Sequence, residues 1–308
     1  MKLRIGTRGS ALALAQANDV ARRLTVAGHD PVITIISTEG DRVTDRSFIE
    51  VGAFGVFVRE IEAALLAGEV DVAVHSYKDL PSKGPDGLMI GAVPERVDVA
   101  DLLLVRRDAL APERNGLPLA DGARVGTSAT RRRALLLAAR PDLQVGLLRG
   151  NVPTRVRALT EGRFDAIVLA AAGLSRLARV EGPDRLTLPA DVATCRLDPQ
   201  VFVPAPSQGA IALQVRRDDT ATRAAVAALD DAMCRRTLLA ERTALALADG
   251  GCTLPFGAWC SAGDAGALTL TTALGLDDGT VARSTAHGSD PEAVAAEAWQ
   301  ALSRLVAS

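Results

Sequence analysis

Apolar runs of strand length alternate with stretches of helical period through the first two thirds of the chain. LRIGT (3–7), VITIIST (32–38), VDVAVHS (70–76), LMIGAV (88–93), LLLVR (102–106), RVGTS (124–128), VGLLR (145–149) and AIVLAAA (166–172) read as strands. Helices fit between them at about 10–27, 54–67, 129–139, 152–161 and 173–179. Strands that are apolar on both faces and separated by helices predict an α/β protein with mostly parallel sheets.

The pattern breaks twice. RRDALAPERNGLPLADG, polar and rich in Pro and Gly, lies where a second sheet domain begins, and EGPDRLTLPADVATCRLDPQVFVPAPSQG closes that unit. IALQVR (211–216) is a further strand. Beyond it the character changes to helices at 219–229 and 233–248, an alternating pair LTLTTALGL and VARSTAHG around the turn DDG, and a last helix from 291. That is the pattern of a small α+β domain with an antiparallel hairpin.

Composition narrows the function classes. A chain of 308 residues exceeds the size of most single cores, and a formal net charge of −2 gives no whole-protein attraction to nucleic acid or to an acidic membrane. The N-terminus MKLRIGTRGSALALAQA has no apolar signal core, and no run approaches a membrane span, which predicts a cytoplasmic protein with reduced thiols. The four cysteines contain no C-x-x-C pair and the three histidines are scattered, so neither a metal site nor a disulfide framework is expected. Cys252, in the Gly-flanked loop DGGCTLP, remains open to several readings: core filler, metal ligand, disulfide half or nucleophile.

Ligands of open α/β sheets lie where strands end and helices begin, because helix N-termini offer free N–H groups and a positive dipole. Four such junctions carry arginine or small hydroxyl residues: TRGS (7–10), GTSATRRR (126–133), LRGNVPTR (148–155) and AGLSR (172–176). Ser10, Thr127, Ser128 and Asn151 also suit N-caps. One such junction is an ordinary cap with solvated arginines; the repetition points further. Residues 123–180 hold eleven arginines against three acids, which suggests a pocket for several anions. Arginine's planar fork suits carboxylates, and no phosphate-cradling glycine motif is present. A fifth junction, VDVAVHSYKDLPS (70–82), runs a buried strand into His75, Ser76, Lys78 and Asp79. A rigid sheet would fix these groups for chemistry, with Asp79 stabilising a developing cation or shuttling a proton and burial tuning its pKa.

These motifs are recognisable together. IGTRGSALALAQA, STEGD, VDVAVHSYKDLP, VGTSATRRR, LRGNVPTR, FDAIVLAAAGLSRL, PAPSQGA and AERTALALADGGCTLPFGA run in order across nearly the whole chain, which resembles the porphobilinogen deaminase (hydroxymethylbilane synthase) family. The resemblance implies two α/β domains like type II periplasmic binding proteins plus a small α+β C-terminal domain. Domain 1 would be 1–95 with a return segment 196–216, domain 2 would be 96–195, and domain 3 would be 217–308. It further implies a monomeric transferase that deaminates four porphobilinogens. It joins them head to tail on a dipyrromethane cofactor thioether-linked to Cys252, then releases hydroxymethylbilane.

Residue roles follow from the matched motifs. Each pyrrole carries an acetate and a propionate, so the chain accumulates carboxylates. The resemblance gives Arg8, Ser10, Phe57, Ser76, Thr127, Arg149, Arg155 and Arg176 to substrate binding. Lys78, Ser128, Arg131 and Arg132 fall to cofactor binding, and Asp79 is the catalytic carboxylate beside the cationic azafulvene left by ammonia. Two departures stand out. IEVGAFGVFVRE carries Glu50 and Phe54 where many members have lysines, and Val99 and Ala100 replace an expected arginine and proline. No binding role is carried to Glu50 or Phe54. Two other readings compete: a non-catalytic two-lobed receptor for a small carboxylate-rich ligand, and a cysteine-nucleophile hydrolase. The hydrolase lacks a histidine near Cys252 other than His287.

Overall fold

The computed structural model describes residues 1–37, 58–182, 185–248 and 254–307. In chain order its elements are β1 (Lys2–Thr7), α1 (Ala11–Val26), β2 (Asp30–Ile35), α2 (Arg59–Leu66), β3 (Val72–Ser76), β4 (Leu88–Ala92), β5 (Asp101–Arg106), β6 (Leu110–Arg114), β7 (Leu117–Leu119) and β8 (Arg124–Thr127). They continue as α3 (Thr130–Ala139), β9 (Gln144–Leu147), α4 (Val152–Thr160), β10 (Ala166–Ala170), α5 (Ala171–Ala178), β11 (Val192–Arg196), β12 (Ile211–Arg216), α6 (Thr220–Ala227) and α7 (Ala232–Leu247). β13 (Phe256–Ala262), β14 (Leu268–Gly275), β15 (Val281–Gly288) and α8 (Pro291–Ala307) complete the chain.

Two units emerge from the contacts, residues 1–97 with 180–184 and 209–236, and residues 98–179 with 185–208 and 237–308. The first is built on a five-stranded sheet of order β2-β1-β3-β12-β4. β1 pairs in parallel with β2 and β3, whereas β12 is antiparallel to both β3 and β4. Helix α1 opens on the Ser10 side chain, which accepts from Ala13 N, and buries Ala17, Val20 and Leu24 at helical spacing. These side chains close over Leu3, Ile5, Val72, Val74 and Leu213 in one core. Each buried Val, Leu or Ile side chain contributes about 1.5–3 kcal/mol by leaving water.

The second unit has a sheet of order β11-β5-β10-β8-β9 and a three-stranded antiparallel sheet β13-β14-β15. One face of the larger sheet packs Leu103, Val105, Val125, Leu135 and Leu136, and the other packs Leu104, Ile167, Leu169, Val156 and Leu159. The alternation of LTLTTALG in β14 buries Leu268 and Leu270 against Val294, Ala298 and Leu302 of α8.

The α/β class expected from the pattern is the class observed, but the sheets are mixed rather than mostly parallel. β5 runs antiparallel to β10 and β11, as β12 does in the first unit. These strands follow the points where the chain changes unit, so no βαβ crossover sets their direction. Four strands were missed: β6 and β7 form a short hairpin inside the polar insert, and β11 and β13 carry too few consecutive apolar residues to stand out. Helix α6, read from sequence as part of the C-terminal domain, buries Ala225 and Val226 in the first unit's core. Residues 196–208, read as returning to domain 1, group with the second unit, where Leu197, Phe202 and Val203 join its core.

Candidate active site

In the first unit the sheet places the expected residues at the C-terminal ends of β1 and β3. Ser10 caps α1, and Arg8 sits half-buried just beyond β1. Ser76 ends β3, with its Oγ accepting from Gln16 Nε2 at 2.9 Å, so α1 and β3 are tied together at this rim. The chain then turns through a 3-10 turn, Tyr77–Asp79, whose start is pinned by Tyr77 N donating to Ala210 O at 3.0 Å. Lys78 is half-buried on that turn and Asp79 is exposed. The expectation of a buried Asp79 is therefore corrected: it lies past the last sheet residue, where neither face of the sheet covers it. His75, grouped with these from sequence, is a different kind of residue. Its ring is buried against Gln214, and desolvation pushes it down to about 4, so at neutral pH it is an uncharged part of the core.

The second unit carries the arginine-rich junctions. Asn151 caps α4, accepting from Thr154 N at 3.0 Å, as its sequence position implied. Thr127 and Ser128 do not cap α3. The N-cap is Ala129, with no side-chain bond to the helix, while Thr127 Oγ1 accepts from Ala129 N at 3.2 Å. The start of α3 thus keeps N–H groups without a side-chain acceptor, beside the exposed Ser128 hydroxyl. Arg155 crosses from α4, donating through Nε to Gly150 O and through Nη2 to Ser128 Oγ at 3.3 Å, so two junctions converge. Arg149 is exposed and has no hydrogen-bond or ion-pair partner among the described residues. Arg176 does not lie at a helix start as read from AGLSR, but in the last turn of α5, because that helix begins earlier, at Ala171.

Arg131 and Arg132 occupy the first turn of α3 and are both buried. Arg131 donates to Val203 O at 2.7 Å and to Asp101 Oδ2 at 2.8 Å. Arg132 donates to Asp101 Oδ1 at 2.7 Å and to Val168 O at 2.9 Å. The picture of two open anion donors is corrected to one of two guanidinium groups anchored by an internal carboxylate. The arginine excess counted in the sequence shrinks in the same way, since Arg124 pairs with Asp165 and Arg140 with Asp142 and Asp121.

Asp101 is the residue the sequence reading missed. It is fully buried at the start of β5, and the arginines hold its carboxyl far below the usual range despite the opposing effect of burial. The available signal was a lone acid opening the apolar run DLLLVR, because a charge at the head of a buried strand needs partners. Phe57 and Cys252, like the departures Glu50 and Phe54, lie outside the described residues. The other cysteines, Cys195, Cys234 and Cys260, are free thiols, and burial pushes Cys195 up.

A dipyrromethane with its acid side chains needs cations and N–H donors in a preset arrangement, and the second unit fits that requirement. Arg131 uses two and Arg132 three of their five N–H donors each, counting one proton for each bonded nitrogen.

Residues 3–224 match the family model described as porphobilinogen deaminase, dipyromethane cofactor binding domain. A porphobilinogen deaminase of Brevibacillus brevis is 43% identical over 304 residues, covering 98% of this chain and 94% of that protein. One of Bacillus cereus matches with the same identity and coverage. Among solved structures, a periplasmic substrate-binding protein from Coxiella burnetii has a TM-score of 0.43 at 15% identity, covering 76% of this chain and 94% of that one. By its sequence, over more than half its length, the chain belongs to the porphobilinogen deaminase family.

Proposed function

We propose that this chain is a tetrapyrrole-forming transferase that deaminates four porphobilinogens and joins them head to tail, releasing hydroxymethylbilane. The observation that carries the reading is the 43% identity to porphobilinogen deaminases over 98% of the chain, and membership of an enzyme family disfavours the non-catalytic receptor. A dipyrromethane, thioether-linked at Cys252, supplies a nucleophilic pyrrole carbon as primer. Arg131, Arg132, Ser128 and Lys78 hold its acid side chains.

The chain's own residues supply charge and position. Arg149, Arg155 and Arg176, with Arg8, Ser10, Ser76 and Thr127, receive the acetate and propionate groups of the substrate, and Phe57 packs on its ring. The tethered pair of Arg155 and Ser128 suits this task because a planar guanidinium held through Nε and Nη2 keeps a preset orientation towards a carboxylate. Asp79 stabilises the positive charge that develops on the pyrrole as ammonia leaves, and its place on a short turn pinned to β12's approach gives it a fixed position. Proximity of opposite charge is its means of action.

The same reading includes three functional domains, a monomer and a cytoplasmic location, with no nucleic-acid or membrane partner. The separate core of β13, β14, β15 and α8 supports a distinct C-terminal domain. No helix of the described residues is long and apolar enough to cross a membrane. Intact mass under denaturing conditions tests the central claim. We expect an excess of two linked pyrrole units in the wild type, absent from Cys252→Ser, together with hydroxymethylbilane formed from porphobilinogen. An unmodified mass in freshly prepared, active protein would overturn it.

A further inference from the structure

Arg131 and Arg132 are consecutive residues in the first turn of α3, the positive end of the helix dipole. Two like charges there repel each other and the dipole, and both are desolvated: burial acts to lower Arg131, and Asp101 acts against it. A structure that only needed a buried pair would place one arginine against one acid. Here one carboxylate serves two guanidinium groups, and the trio keeps a net charge of +1.

The geometry around Asp101 is that of a divided acceptor. Oδ2 takes Arg131 Nη2 at 2.8 Å, while Oδ1 takes Arg132 Nη2 at 2.7 Å, Arg132 Nε at 3.2 Å and Gln208 Nε2 at 2.9 Å. Gln208 is itself held by donating to Val99 O at 2.8 Å. Arg131 is fixed from a second side by Val203 O, and its guanidinium carbon lies 5.9 Å from the Phe202 ring centroid. The two cations therefore cannot swing apart.

We propose that Asp101, supported by Gln208, is the positioning residue that presents Arg131 and Arg132 to a single carboxylate of the cofactor. Its charge sets the trio to +1, matching one carboxylate, and its two oxygens fix the spacing of the guanidinium planes. This rests on the cofactor reading above. It extends that reading to a residue that need not touch the cofactor, and it explains why an acid belongs in a pocket for acids. Without Asp101 the arginines would remain cationic but lose their common anchor, and preorganisation rather than charge would be lost.

The test follows loading of apoprotein incubated with porphobilinogen, read by intact mass. Asp101→Asn keeps the shape and removes the charge, and we expect loading to slow about tenfold, the equivalent of 1.4 kcal/mol. Gln208→Leu, which leaves the Asp101 charge and so carries less risk to folding, should slow loading about threefold, as for the loss of one hydrogen bond to a charged group that water partly replaces. Leu24→Ala, in the first unit's core, serves as a destabilised control. Comparison at equal distance below each Tm separates positioning from stability. If folded Asp101→Asn loads as fast as wild type, or if the control slows equally, the inference fails. Should Asp101→Asn not fold, wild-type loading by Gln208→Leu overturns it. A wild type that never gains the two-pyrrole mass sinks the cofactor reading instead, so the two failures are distinguishable.

Discussion

His75 Nε2 lies 3.1 Å from Gln214 Oε1, and Gln214 in turn donates through Nε2 to Glu62 Oε1 at 2.8 Å. Because the Gln214 nitrogen is committed to the carboxylate, its oxygen faces the ring, and His75 must be the donor. This assigns the Nε2–H tautomer from the network. The chain links β3, β12 and α2 across the first sheet, with His75 two residues before the turn that carries Asp79.

The network predicts a stability that depends on pH. The folded value of His75, about 4, lies below the value of about 6.5 for an unfolded histidine, so the unfolded chain binds the proton more readily. The contribution is fully present above pH 6.5 and is lost as pH falls towards 4. Denaturant unfolding should show a loss of about 2 kcal/mol from this residue between pH 7 and pH 5. Glu62 acts in the opposite sense, since burial raises its carboxyl, and the stability change it brings appears as pH falls through the carboxylate range. His75→Leu should flatten the change between pH 7 and pH 5; an unchanged slope would contradict the assignment.

Asp79→Ala should lower turnover at least about a hundredfold, the scale of losing one electrostatic stabiliser of the transition state. Porphobilinogen binding should remain in part. Because Asp79 is exposed, denaturant midpoints should shift by no more than about 0.5 kcal/mol. Turnover retained in the folded variant would remove Asp79 from the mechanism.

Arg149→Leu separates binding from folding more cleanly than any change at Arg131 or Arg132. It has no partner among the described residues to leave unsatisfied, so Tm should stay within the range of neutral surface substitutions. Cofactor assembly or early elongation should stall, visible by mass as protein carrying fewer pyrroles than wild type after equal exposure to porphobilinogen. A normal yield of tetrapyrrole speaks against the role.

Gly257→Ala tests the packing that holds Arg131. A Cβ at Gly257 would stand 2.7 Å from Val203 O and 3.2 Å from Arg131 Cδ. The first neighbour is backbone and cannot swing aside, so we expect a destabilisation of about 1–3 kcal/mol by denaturant unfolding. Val203 O is also the acceptor of Arg131 Nη1, and the same variant should therefore load cofactor more slowly than its loss of stability accounts for. A variant of wild-type stability would show that β13 shifts freely here.

The sequence by itself determined the α/β class, the order of most helices and of the strongly apolar strands, the caps Ser10 and Asn151, and the family. Each of these depends on local period, on a residue's own hydrogen-bonding group, or on motifs read along the chain. It also brought out the ends of β1 and β3 and the junctions before α3 and α4 as places for chemistry, because strand ends are local features. What it could not separate was an arginine facing a ligand from an arginine facing the interior. Arg131, Arg132 and Arg149 look alike as letters, yet two are anchored on a carboxylate thirty positions away in β5 and one is exposed. Asp79, read as tuned by burial, is exposed past the end of its strand, and Asp101, which the sequence reading missed, is buried at the head of an apolar one. Tertiary structure decided these points because burial and ion pairing are set by what the fold brings alongside, and the chain pattern records only neighbours in sequence.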